Sequence, residues 1–227
     1  MTTTRAVADD LRNAIDYLVR AELVLYANEV SRTPTRVSWH GYDDLFSVRI
    51  SAPHATVREY LEWVSAGAYS AVLPDASLLQ LTYDVADGQI VGHRLAYVPC
   101  PYVIDEGLLQ AGEPIADVVE IYAETGESQV ALRSPVRFDY DAGAARGGHP
   151  AAHLTVNSSD CRIACVAPMH AHQFIAFVFG HFYPQLRSLH DHFFSECSRR
   201  HIGRRVITDA EREEPHMMWS YQKAPGP

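Results

Sequence analysis

Lysine is almost missing from this chain. Lys223 is the single one, so nearly all the positive charge is arginine. Acidic residues outnumber basic ones by 28 to 19, and the formal net charge is −9. That balance excludes a protein that coats nucleic acid by bulk charge, because phosphate contacts draw on an excess of Lys and Arg. A local arginine cleft remains compatible with it, since guanidinium forks onto phosphate or carboxylate. No run approaches 18 uncharged apolar residues, and the opening MTTTRAVADD lacks the apolar core of a signal peptide. A cytoplasmic protein with no membrane partner is the expectation. Cysteine is scarce too, with four residues, Cys100, Cys161, Cys165 and Cys197. Cys161 and Cys165 form CxxxC without a second pair to complete a zinc site, which favours buried, reduced thiols. P-loop, GxGxxG, GxSxG and helical HExxH patterns are all missing. Nucleotide-binding and serine-hydrolase signatures are therefore excluded, and no metal or cofactor is expected.

Histidine is what the chain concentrates. Seven of its 12 histidines lie between His149 and Phe194. Imidazole titrates near neutrality, so this stretch is the first place to look for chemistry. The chain has 227 residues, 47% of them hydrophobic and 21% charged, enough to bury the core of one large folded domain.

The spacing of Val7, Leu11, Ala14, Ile15, Leu18, Ala21 and Leu25 predicts a helix over 6–29, ended by the segment around Pro34. Short strands over 36–39 and 45–50 follow. Thr56 and Glu59 form a capping box for a helix that runs to about Gly67. Leu79, Leu81 and Tyr83 alternate with polar residues, and Asp87-Gly88 signals a hairpin into a strand over 89–98. A short helix is expected over 114–123. Further strands cover 136–141, 151–157 and 161–166. Pro168 fits the first turn of a helix that carries Phe174, Phe177, Val178 and His181, and Pro184 opens another with Leu186, Leu189, His190, Phe193 and Cys197 on one side. Thr208 and Glu211 suggest a last short helix, with Trp219 and Tyr221 docking the tail. The expected fold is one α+β domain over 1–205 with a tail over 206–227. Its sheet of five to seven strands is mainly antiparallel, with helices from both chain ends on one face.

Strand alternation makes the sharpest functional statement. His153, Thr155 and Asn157 share one face, and Arg137, Asp139 and Asp141 share another. If these strands are neighbours, an Arg-Asp-Asp row lies beside a His-Thr-Asn row, which offers a base, an orienting carboxylate and an anion holder. His149, on a glycine-rich loop, closes over that surface. Arg94 and Arg162 add to the anion side, although His93-Arg94 also reads as an ordinary surface pair. A solvated sheet face would be polar without any function. His170 and His172 diverge by about 200° on a helix, which argues against a shared metal. The same divergence applies to His190 and His192. His181 and His190 lie in apolar helical stripes and read as core residues.

The phrases SLLQLTYD (77–84), HRLAYVPCP (93–101), VRFDYD (136–141), HPAAHLTVN (149–157), CRIACV (161–166) and FIAFVFGHFYP (174–184) occur in that order. Together they resemble a bacterial family catalogued as domain of unknown function 2290, over roughly residues 1–200. The resemblance implies a single-domain bacterial protein in a mobile-element or phage-defence setting, with no activity attached. HPAAH also resembles the histidine-rich strand of some small toxin–antitoxin proteins, with Thr155 where those toxins tend to carry another histidine.

Two functions fit. The first is a metal-independent enzyme acting on a phosphodiester, either RNA or a nucleotide. His153 and His149 would be acid and base, Asp139 would orient an imidazole, and Arg137, Arg162 and Arg94 would hold phosphate with Thr155 and Asn157 in support. The second is a non-catalytic subunit, immunity or accessory protein that binds a protein partner encoded nearby. Its anchors would be arginine and aromatic side chains, drawn from 12 Tyr, 8 Phe and 3 Trp.

Overall fold

Thr3 opens the first helix by accepting the Ala6 N–H at Oγ1. The computed structural model describes residues 3–43, 56–125, 130–146, 148–158 and 160–219. Helix α1 (Thr4–Arg20) buries Val7, Leu11, Ala14, Ile15 and Leu18, the stripe read from the sequence. It stops nine residues earlier than the spacing implied. Glu22 turns into the left-handed region at φ 54°, and Leu23 N–H bonds back to Leu18 O. The chain then enters two short strands, β1 (Tyr26–Ala27) and β2 (Val30–Arg32). Strand β3 (Arg36–Trp39) lies where expected, whereas the strand read over 45–50 falls outside the described residues. Thr56 and Glu59 do form a reciprocal capping box, and α2 (Val57–Ser65) follows.

The sheet grows outward from one hairpin. Strands β5 (Leu78–Ala86) and β6 (Gln89–Val98) are joined at Asp87 (φ 50°) and Gly88 (φ 70°), the two positive angles a tight hairpin turn demands. On the β6 side follow β7 (Val136–Asp141), β8 (Ala152–Val156), β9 (Arg162–Cys165) and β10 (His216–Met217). On the other side β4 (Ala71–Val72) and β3 both pair with β5, carrying β1 and β2 respectively. All pairings are antiparallel except β9 with β10. The result is a mixed α/β domain with ten strands and eight helices among the described residues.

One sheet face is apolar. Leu79, Leu81, Tyr83, Leu95, Phe138 and Leu154 pack against α1, α5 (Ala171–Phe182) and α7 (Asp191–Cys197), where Phe174, Phe179 and Phe194 are fully buried. Each such side chain contributes about 1.5–3 kcal/mol of burial. The helices from the two chain ends thus share this face, as expected. The opposite face is divided. At one end Val72, Leu78, Ala96 and Val98 are covered by Tyr60, Trp63 and Val64 of α2, Leu109 of α3 (Glu106–Gln110) and Val118 and Val119 of α4 (Ile115–Thr125). At its other end the same face is polar and open.

Several local expectations change. Pro168 precedes α5, which instead begins behind His170 as its cap. Pro184 does start α6 (Pro184–Leu189), but the helix breaks at His190 before α7 begins, and Leu189 is 77% exposed. Trp219 docks edge-on to Phe138 with ring centroids 5.9 Å apart, while Tyr221 lies outside the described residues. The short C-terminal helix is α8 (Asp209–Arg212), with Thr208 and Glu211 as its capping box. No helix is long and apolar enough to cross a membrane.

His93 is a core residue rather than half of a surface pair. It shares the apolar face with Leu95 and Tyr97, accepts Met169 N–H at Nε2 (2.9 Å), and faces Phe138 O with Nδ1 (3.2 Å). Those partners select the neutral Nδ1–H tautomer. Burial pushes its pKa down to about 4, and burial likewise brings His172 to about 4. The unfolded chain takes up these protons near pH 6.5 while the folded protein refuses them. Stability should therefore be complete above pH 6.5 and decline between about 6.5 and 4, by up to about 1.4 kcal/mol per pH unit for each histidine. Urea midpoints measured from pH 7.5 to 4.5 should show this slope, and His93→Gln should make it shallower. An unchanged slope in that variant would remove His93 from the account.

Candidate functional site

The open end of the polar face is built by register. Arg94 on β6, Asp139 on β7 and His153 on β8 stand directly abreast. One rung along, Arg137, Thr155 and Arg162 stand abreast on β7, β8 and β9. One rung the other way are Asp84, Gly92 and Asp141, with Arg36 of β3 beside Asp84. Opposed residues in antiparallel strands project to the same side, so these rows form one surface. A cleft of about 700 Å³ lies over it. Loop residues Ala142 to Ala144 and His149 wall the cleft, and Tyr42 stands at its far end with its ring centroid 5.1 Å from Arg36 Cζ. At Gly92 a Cβ would stand 3.3 Å from Tyr140 O and 3.4 Å from Asp84 Oδ2, so a larger residue would crowd the floor.

Asp139 is the electrostatic centre. Its Oδ2 accepts a short bond from Arg137 Nε (2.6 Å), its Oδ1 lies 3.6 Å from Arg94 Nε, and His153 Nε2 lies 3.6 Å from Oδ2. The side chains of Arg137 and Asp139 are only 11% and 13% exposed, so the pair is shielded from water. A buried carboxylate without cations would be costly, and Arg137 and Arg94 share that duty here. Arg36 and Asp84 make a separate pair at 2.6 Å, and Arg162 is more loosely held, 3.9 Å from Asp160.

The two candidate histidines differ in their surroundings. His153 is 5% exposed, and its Nδ1 lies 3.0 Å from Pro150 O, which assigns the proton to Nδ1 in the neutral ring. Its Nε2 then faces Asp139. Burial lowers its pKa, and the Asp139 charge opposes that shift. His149 lies edge-on to His153 with ring centroids 5.0 Å apart. Paired backbone bonds between Arg146 and His149, with Gly148 at φ 74°, fix the turn that carries it. Burial, then the charges of Arg162 and Arg146, hold its pKa below the ordinary value. Burial is thus the main cause of both shifts, reinforced at His149 by two arginine charges and opposed at His153 chiefly by Asp139.

Of the residues singled out from sequence, His149, His153, Asp139, Arg137, Arg162 and Arg94 all line the cleft. Thr155 and Asn157 do not. Thr155 is fully buried beneath the arginines, and its hydroxyl has no hydrogen-bond partner among the described residues. Asn157 leaves the strand at φ 62° and accepts a bond from Ser134 Oγ (3.4 Å), away from the cleft. Arg36, Asp84 and Tyr42 were not singled out. Period-two alternation on β3 and β5 hinted at the first two, but only the pairing of β3 with the far end of β5 brings them to the site.

The other histidines settle elsewhere. His170 is not helical but caps α5, with Nε2 3.4 Å from Asp10 Oδ2, and its ring centroid is 4.9 Å from that of His172. His190 bonds Tyr17 Oη at 3.0 Å in a half-buried position, whereas His181 is exposed, not in the core. Cys161 is exposed as well, contrary to expectation. Burial raises the other thiols, Cys100 to about 11 and Cys197 to about 12, which leaves them protonated and unreactive. Among the described residues no group of three or more His, Cys, Asp or Glu side chains is arranged to hold a metal ion.

The family described as Uncharacterized conserved protein (DUF2290) matches residues 18–219. No curated protein and no solved structure matches the chain.

The shared carboxylate makes a direct electrostatic prediction. Asp139→Asn should lower the pKa of His153 further, because the charge that opposes its desolvation is gone. It should also destabilise the fold by about 3–5 kcal/mol, the usual cost of breaking a buried pair. Imidazole NMR titration and urea denaturation read the two effects. A His153 pKa that stays put or rises would overturn this assignment of Asp139.

Proposed function

The chain belongs to the uncharacterised conserved family DUF2290, a membership that assigns no activity, and we propose from the cleft itself that it binds and cleaves a phosphodiester by histidine acid–base chemistry. One observation carries this reading. In a chain of net charge −9, Arg36, Arg94, Arg137 and Arg162 gather in one cleft around a pair of neighbouring imidazoles. Forked guanidinium groups suit the non-bridging oxygens of a phosphate and the charge that grows on them during displacement. Arg137 has a structural duty to Asp139, so the looser Arg162 is the stronger candidate for direct phosphate contact.

In this reading neutral His149 takes the proton from the attacking hydroxyl as the new P–O bond forms. His153, protonated beside Asp139, delivers a proton to the departing oxygen as the old P–O bond breaks. Such a pair supplies acid and base together and draws on no metal. RNA or a nucleotide of a mobile-element or phage-defence system is the substrate class that fits the family setting expected from the sequence.

The test is turnover of a single-stranded oligoribonucleotide. His149→Ala with His153→Ala should reduce it by at least about 10²–10⁴-fold, the usual contribution of positioned acid–base groups. Circular dichroism should be unchanged. Both histidines titrate below the ordinary 6.5. The base limb falls below the pKa of His149, and the acid limb falls above that of His153. The pH–rate profile should therefore be a bell with its maximum below pH 6.5. Wild-type turnover in the double variant would sink the proposal.

A specific surface favours the second reading, a partner-binding subunit. Val103 (58% exposed), Ile121 (57%), Leu132 (101%), Leu108 and Val130 are all exposed within the segment 103–132. The isolated Tyr102–Val130 bridge draws the two ends of that segment together. Concentrated exposed apolar groups mark interaction surfaces. Ile121→Ser with Leu132→Ser should leave stability within about 0.5 kcal/mol. It should also abolish co-purification with the product of a neighbouring gene. Retained co-purification would reject this surface.

A further inference from the structure

Arg162 lines a second cavity besides the cleft. This groove, of about 540 Å³, lies between the loop that carries His149 and the segment around α8. The loop is a common wall. Ala142 to Ala144 and His149 line the cleft, whereas Ala145, Arg146, Gly148 and Pro150 line the groove. Arg162 borders both, so a ligand whose phosphate rests on Arg162 stands at the edge of the groove.

The groove is chemically unlike the cleft. Ala145, Gly148, Pro150, Ala164, Ala210 and Pro215 give it a lining of small apolar residues. Its charged lining includes Glu211, Glu214 and Arg146 besides Arg162. Glu211 is partly committed, because its Oε2 accepts Thr208 N–H at 2.7 Å, while Glu214 is exposed. The volume falls within the usual range for small-ligand sites, about 300–1,000 Å³. A planar apolar face with a polar edge, adjoining a phosphate, describes a nucleobase. Carboxylates in the lining accept hydrogen bonds, so they favour edges that carry an amino group.

We propose that this groove is a nucleobase subsite, selective for amino-bearing bases, and that it receives the nucleoside attached to the phosphate in the cleft. This rests on the phosphate-binding reading of the cleft and adds the substrate's second half. Ala210 and Glu214 of the groove touch neither histidine's hydrogen bonds nor the charges assigned above, so they can be altered separately.

Titration calorimetry on the full chain tests it with four probes: inorganic phosphate, ribose 5-phosphate, UMP and CMP. CMP should bind at least tenfold tighter than ribose 5-phosphate, with UMP between them. Ala210→Trp, which fills the groove from an exposed position, should erase the nucleotide advantage and leave ribose 5-phosphate binding unchanged. Glu214→Ala keeps the groove open and should remove only the preference of CMP over UMP. Equal binding of ribose 5-phosphate and CMP by the wild type would overturn the subsite and leave the phosphate cleft standing. An equal loss of ribose 5-phosphate and CMP binding in Ala210→Trp would also overturn it. If none of the four probes binds the wild type, the phosphate reading of the cleft falls, and the subsite with it.

Discussion

The site depends on the register that sets Arg94, Asp139 and His153 side by side across β6, β7 and β8. Alternate residues of these strands, Leu95, Phe138 and Leu154, face the helices on the other side. A slip of one residue would drive the aspartate and histidine into that core and expose the phenylalanine. Apolar burial of the helix side therefore fixes the geometry of the polar side. The energy that positions the charges comes from residues that never touch them, and a substrate would meet a constellation ordered in advance.

Electrostatics then decide what each member can do. Asp139 is shielded from water and is tolerable only because Arg137 is bonded to it and Arg94 stands near. That commitment separates the arginines into two sorts. Arg137 neutralises the interior, while Arg162, with only a 3.9 Å approach to an exposed Asp160, keeps its guanidinium available to a ligand. The same division separates the histidines. One stands by a carboxylate and a backbone carbonyl, the other by two arginines, and their ring centroids are 5.0 Å apart. Burial lowers both pKa values, and the neighbouring charges then act on them in different proportions.

Much of this was legible because strand alternation has a period of two and needs no knowledge of the fold. Six of the eight site residues read from sequence meet in the cleft, and alternation is what placed Arg137, Asp139 and His153 among them. Asn157 failed where alternation ends: the chain turns left-handed there, and no periodicity signals it. Arg36 and Asp84 were hidden because their pairing joins segments 48 residues apart. His93 carried a usable signal, since it has the parity of Leu95 and Tyr97 and not that of Arg94. The over-long first helix has the opposite cause. Ala21 and Leu25 continue the apolar stripe, but the backbone reverses at Glu22 so that β1 and β2 can join the sheet. Local pattern could not reveal that tertiary demand.

The division of the polar face explains why a cleft exists at all. A bare antiparallel sheet is nearly flat and would leave its charges in bulk water, where ion pairs are worth little. Here α2, α3 and α4 cover one end of the face, and Ala142 to Ala144 with His149 wall the cleft at the other. The uncovered strip between them is concave. The loop adds a second consequence, because its two sides face two different cavities that meet at Arg162. In the proposed reading, a phosphate held at that arginine would meet the histidine side through its oxygens and the groove side through whatever it is esterified to. Chemistry and recognition can then reside in adjoining compartments on one wall, so that a change in the groove alters the choice of ligand without disturbing the charges around Asp139.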